Sequence, residues 1–164
     1  MRIVQRGFSF HVQRRISAAQ ALAVPPSEPL MHYAGSMIER IFPEGTPKPR
    51  GPYTPVIRAG DFVFVAGQGT VDPATDQMSY GDIQHETRIT LNNIKRLLEA
   101  AGASLADVVK VSVFLKDGKD FAAMNEVYRE FFDETRPTRT TVAVAFADPT
   151  MKVEIDCIAY SPAQ

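Results

Sequence analysis

Ile83, Thr87, Leu91, Ile94, Leu98 and Ala101 recur at three- and four-residue steps, and Gly102 follows at once. That period sets all six on one stripe of an α-helix, and the glycine supplies its stop. A stripe of this length has to lie against an apolar surface, and the rest of the chain is rich in candidate strands. Val109–Leu115 and Val153–Tyr160 alternate strictly, and Thr141–Phe146 is read as a third alternating segment. Val56–Arg58 and Phe62–Ala66 carry large and β-branched residues on either side of Ala59-Gly60-Asp61, which reads as a hairpin. Asp72–Asp76 is turn chemistry, and Ser104–Asp107 has the form of a capping box, sufficient for a short helical turn before the next strand. Asp120 can cap a second helix with Phe121, Met124, Val127, Tyr128 and Phe131 on one face, ending before Pro137. Four prolines between Phe42 and Tyr53 exclude helix there and predict extended chain or loop.

The resulting order, β-β-α-β-α-β-β, predicts an α+β fold in which the helices cover one face of a mixed sheet. The other face would then carry Phe114, Ile158 and Tyr160 uncovered. Large exposed apolar patches are rare on monomers, so association through that face, as a homo-oligomer, is expected.

Composition narrows the function classes. Eighteen basic and nineteen acidic residues give a net charge of −1, which offers no broad positive surface for nucleic acid. The single cysteine, Cys157, and three scattered histidines give no metal-ligand cluster and no internal disulfide, in keeping with a reducing compartment. No apolar run approaches the ~20 residues of a membrane span, so a soluble protein is expected. Residues 1–36 stand apart: Arg2, Arg6, Arg14 and Arg15 face one acid, Glu28, and leave a segment of charge +3 with no sustained pattern. It reads as an appendage to a domain over 37–164. A basic, acid-poor leader is compatible with a mitochondrial transit peptide and equally with a plain extension, the cytoplasm being the default location.

Chemistry must come from few groups, because no Gly-x-Ser-x-Gly elbow, phosphate loop or His-Glu-x-x-His is present. Gly67-Gln68-Gly69 lacks the third glycine of a dinucleotide fingerprint and opens into a turn at Thr70–Pro73. Arg139, at the entrance of an otherwise apolar strand, reads either as a bidentate carboxylate clamp or as a solvated arginine. Glu154 and Asp156 share the strand face opposite Val153, Ile155 and Cys157, which invites acid/base chemistry but is also what an ordinary polar sheet face looks like. Tyr53, after Gly51-Pro52, is either presented from a stiff loop or packed. His32 falls in the leader and His85 on the polar side of the first helix. Cys157 sits at a core-facing position, where a buried thiol is a poor nucleophile.

Six segments occur together in order: Gly51-Pro52-Tyr53, Val65-Ala66-Gly67-Gln68, Val113–Asp117, Asn125–Phe132, Pro137-Thr138-Arg139 and Val153-Glu154-Ile155-Asp156. In that order and spacing the chain, from about Gly51 to Tyr160, resembles the reactive intermediate deaminases, the Rid or YjgF-type proteins. The resemblance implies a chorismate-mutase-like fold, a homotrimer whose sheets line a central barrel, and clefts between neighbouring subunits. It also implies cofactor-free hydrolysis of 2-imino acids, such as 2-iminobutanoate and 2-iminopropanoate, to 2-oxo acids and ammonia. Arg139 matches the family arginine that grips the substrate carboxylate, and Glu154 the glutamate that directs water. Tyr53, Ala66, Gly67, Asn125 and Thr141 match positions lining the substrate pocket. Ala66 stands where many deaminating members have serine, and Thr141 where many have cysteine; Gly69-Thr70 and Asp156 also depart from the commonest pattern. A non-catalytic module that binds a small carboxylate through the same clefts is the alternative that these residues leave open.

Overall fold

A computed structural model describes residues 38–162, all within one compact unit, Gly35–Gln164. The basic leader over 1–36, with His32, lies outside the described residues, as do Met37, Ala163 and Gln164.

The apolar stripe from Ile83 to Ala101 becomes helix α1, Ile83–Ala100. Asp82 caps it by accepting from the His85 amide at 2.8 Å. At its other end Gly102 adopts φ +72°, which only glycine takes without strain, and the Gly102 and Ala103 amides bond back to Glu99 and Leu98. Leu91, Ile94, Leu97 and Leu98 are each fully buried. At roughly 1.5–3 kcal/mol per enclosed aliphatic side chain, this face fixes the helix on the sheet.

That sheet has six strands: β1 Ile38–Ile41, β2 Val56–Ala59, β3 Phe62–Gln68, β6 Val108–Leu115, β7 Thr138–Ala143 and β8 Val153–Tyr160, ordered β1-β2-β3-β8-β6-β7. Every pairing is antiparallel except β6 with β7. The crossover from β6 to β7 is made by the second helix, α2, Phe121–Phe132. A separate two-stranded hairpin, β4 Val71–Asp72 with β5 Gln77–Met78, grows from the Asp72–Asp76 turn. The expected capping box forms at Ser104 and Asp107, around a single 3₁₀ turn, Leu105–Asp107.

Both helices pack on one side of the sheet, over Val63, Val65, Val111, Val113, Val153, Ile155 and Cys157, as the α+β reading requires. On the other side Phe62, Phe64, Val142 and Tyr160 are exposed, with the Phe62 and Tyr160 rings 5.3 Å apart, while Phe114 and Ile158 are half-buried. The bare apolar face expected from the alternation is therefore present.

Five local features differ from expectation. β1 was not foreseen; it pairs along β2 at the sheet edge, and three of its four residues are exposed, so it has no apolar signature. β7 begins three residues before the expected Thr141, because parallel pairing with β6 starts at Lys110 opposite Thr138 and is tied by the Thr138 hydroxyl donating to the Val109 carbonyl at 2.7 Å. The chain leaves the sheet after Ala143, so Ala145 and Phe146 are loop. In α2 the fully buried aromatic is Phe132 and not Phe131, and Phe121 stands exposed at the helix start. Asp120 makes no side-chain cap; Asp117 accepts from the Lys119 amide at 3.0 Å and opens a 3₁₀ turn instead.

Candidate functional site

Glu154 is the second residue of β8, between Val153 and Ile155, which are fully buried. Its own side chain turns to the bare face and is half-buried. There it lies against β3 at Gly67: a Cβ on that glycine would come within 2.3 Å of the Glu154 Oε1. Any side chain at 67 would thus displace the carboxylate, which explains a glycine inside a strand. Among the described residues nothing donates a hydrogen bond to Glu154, and burial, followed by the negative charge of Asp156, pushes its carboxyl above the usual range. A carboxylate without a partner and with a raised proton affinity is suited to taking a proton from water.

Glu154 opens into a cavity of about 540 Å³ lined also by Tyr53, Gly67, Gln68, Phe146 and Met151. The Tyr53 loop is internally braced, its amide donating to Gly51 and its phenol oxygen accepting from the Arg50 amide at 3.3 Å. Another wall is the loop before β8. Asp148 there accepts from the Tyr80 hydroxyl at 2.5 Å and from the Thr150 amide at 2.8 Å. Those bonds hold the Asp148 carboxyl below its ordinary range. Ala66 is adjacent but does not line the cavity; its amide donates to the Pro55 carbonyl.

Arg139 is elsewhere. In the β7–β6 register it sits opposite Val111, which faces the helices, whereas Glu154 sits opposite Phe114, which faces away. The two side chains therefore leave the sheet on opposite sides. The Arg139 guanidinium lies over the Tyr128 ring at 4.5 Å and the Phe121 ring at 5.6 Å. Such stacking fixes the plane of the fork and leaves its N–H edge for an anion. Among the described residues no carboxylate pairs with it. It lines a second groove, of about 520 Å³, with Asn125, Arg129, Phe132 and Arg136. Thr141 shares its side of β7 and holds a buried hydroxyl with no partner among the described residues. Tyr128, at the floor of this groove, is pushed up to about 12 by burial and stays protonated at neutral pH.

Within one chain, then, Tyr53, Gly67 and Glu154 are brought together, Arg139 and Asn125 are brought together with Thr141 beside them, and the two groups are separate. His85 is exposed and bonded to the Ser79 hydroxyl at 3.0 Å and lines neither cavity, and burial pushes the Cys157 thiol up to about 12, which makes it a poor nucleophile. Reading the sequence missed Glu86, a fully buried carboxylate that accepts from the Lys152 amide at 2.8 Å and the Gly81 amide at 3.3 Å. Its signal was available, since an acid one position from Thr87 falls on the apolar stripe of α1. Among the described residues no group of side chains could hold a metal ion, and no helix is long and apolar enough to cross a membrane.

The profile of the endoribonuclease L-PSP family matches residues 44–161. A RutC family protein of Pyrococcus horikoshii is 53% identical over 124 residues, 76% of this chain and 98% of that one. The 3-aminoacrylate deaminase RutC of Acinetobacter baylyi is 42% identical over 122 residues, 74% of this chain and 97% of its own. Among solved structures, Escherichia coli TdcF with bound serine superposes with a TM-score of 0.69 at 40% identity, covering 74% of this chain and 98% of that one.

Proposed function

The chain belongs to the endoribonuclease L-PSP family, with the reactive intermediate deaminases, and from that premise we propose that it hydrolyses 2-imino acids to 2-oxo acids and ammonia. The observation that carries the reading is Glu154: a half-buried carboxylate without a hydrogen-bond donor, seated on a glycine in a cavity. The reaction asks little else of the protein. An imine carbon next to a carboxylate is already electrophilic, so orienting it and aiming one water supplies most of the acceleration. Glu154 takes a proton from that water as its oxygen bonds to C2, and the imine nitrogen takes up a proton. The resulting carbinolamine loses ammonia as the C2–O double bond forms, and no electron acceptor is needed. A named deaminase among the relatives and a bound amino acid in TdcF support a small α-substituted acid as ligand.

In this reading Arg139 seats the substrate carboxylate. Because it leaves the sheet on the side opposite Glu154, the two meet only if the site is built between copies: Arg139, Asn125 and Thr141 from one, and Tyr53, Gly67 and Glu154 from its neighbour. The exposed Phe62, Phe64 and Tyr160 support association through the bare face, as a homotrimer.

The direct test generates 2-iminobutanoate and 2-iminopropanoate in situ with an amino acid oxidase and follows semicarbazone formation. Hydrolysis should deplete the imine ahead of the trap; semicarbazone yields unchanged by the protein would reject the reading. Its pH dependence follows from Glu154. Activity requires the ionised carboxylate, so kcat/KM falls as pH drops through a value above that of an ordinary glutamate. Asp156→Asn removes the like charge but not the burial, so the acid limb should shift modestly to lower pH. A limb that stays in place would show that Glu154 is not the titrating group.

A further inference from the structure

The Glu154 cavity contains more positive charge than the proposed reaction uses. Lys48 and Arg50 both line it, next to Tyr53. Water-directing by Glu154 needs no cation, and the substrate's own carboxylate is already assigned to Arg139. We propose, resting on the hydrolase reading above, that Lys48 and Arg50 bind a second anionic group on the substrate and that the substrate class is the 2-imino dicarboxylic acids.

One residue holds the Lys48 main chain and the Arg50 guanidinium beside the cavity, and both side chains are exposed. Asp76, in the β4–β5 turn at φ +54°, accepts from the Lys48 amide with its carboxylate at 3.1 Å. With its main-chain carbonyl it accepts from the Arg50 guanidinium at 2.7 Å. The turn thus anchors the loop through contacts that do not place a carboxylate on either cationic head. Among the described residues neither Lys48 nor Arg50 forms an ion pair. Of the two acids of the same cavity, Asp148 is held by Tyr80 and Thr150, and Glu154 pairs with neither cation. Nor do the cations hold the Glu154 carboxyl down, since burial and Asp156 set its proton affinity. They line the same cavity as the base, so a substrate whose C2 lies beside Glu154 can extend its side chain toward them. Two cations that share a cavity with the base discriminate by charge: they attract a distal carboxylate and leave an apolar side chain beside solvated charges.

The experiment compares 2-iminobutanedioate, made in situ from L-aspartate by an aspartate oxidase, with 2-iminopropanoate made from L-alanine. The full-length protein, Lys48→Ala/Arg50→Ala and Arg50→Lys are assayed, each checked for an unchanged melting transition. The diacid should be preferred in kcat/KM by about tenfold or more in the wild type, the order of one charge-assisted contact. The ratio should collapse in the double variant, chiefly through KM, and be partly restored in Arg50→Lys. Hydrolysis of the monoacid with no diacid preference, or a preference that survives the double substitution, would overturn this proposal and leave the hydrolase reading standing. Acceleration of neither imine would overturn both.

Discussion

Glu154→Gln is expected to lower kcat for imine hydrolysis by about 10²- to 10⁴-fold, the usual contribution of a positioned general base, while 2-oxo acid binding persists. The amide keeps the shape that lies against Gly67 and cannot accept the water's proton. The same substitution should not weaken the fold. Burial and Asp156 raise the Glu154 carboxyl above its unfolded value, so the folded state favours the protonated form. Its stabilising contribution is present at low pH and is lost as pH rises through the folded value. At neutral pH the native protein therefore carries a half-buried charge that Gln removes. Thermal melts at pH 7 should show Glu154→Gln at or above the wild-type midpoint, with the difference closing on acidification. Loss of activity together with a markedly lower midpoint would instead mark Glu154 as structural.

Arg139→Ala is expected to lower kcat/KM by about 30- to 900-fold, the ~2 to 4 kcal/mol of a charge-assisted contact made in a site that excludes water. Arg139→Lys should recover only part of this, because a point charge lacks the two parallel donors that Tyr128 and Phe121 hold in plane. Titration of 2-oxo acid affinity checks the cause: the clamp requires affinity to fall alongside kcat/KM. Unchanged affinity in Arg139→Ala would return this arginine to the solvated surface.

The layer architecture could be read from period alone, since a 3.6-residue stripe and two strictly alternating strands admit few packings, and Val109–Leu115 and Val153–Tyr160 became neighbours as β6 and β8. The edges were less legible. β1 is exposed on three of four residues and exists only because β2 offers it a ladder, and the start of β7 is set by its parallel partner and not by its own pattern. For the site, alternation correctly put Glu154 opposite Val153 and Ile155, but nothing in a linear pattern shows that Arg139 leaves the sheet on the other side. That follows from the register of β7 against β6, a property of pairing. The cavity wall over Phe146–Met151 was likewise invisible as a motif, and the role of the buried Glu86, whose place on the apolar stripe was legible, lies in main-chain contacts distant in sequence.

The opposed placement of Arg139 and Glu154 makes a site shared between copies the central claim, and mixing the two damaged proteins tests it. Arg139→Ala and Glu154→Gln, each nearly inactive alone, are unfolded together at equal concentration and refolded. If each site takes its arginine from one copy and its glutamate from the next, random reassembly leaves about a quarter of the sites with both native residues. Activity should then rise far above that of either parent, to about that fraction of the refolded wild type. Mixed assemblies that form, as shown by mass, yet remain as inactive as their parents would contradict the account.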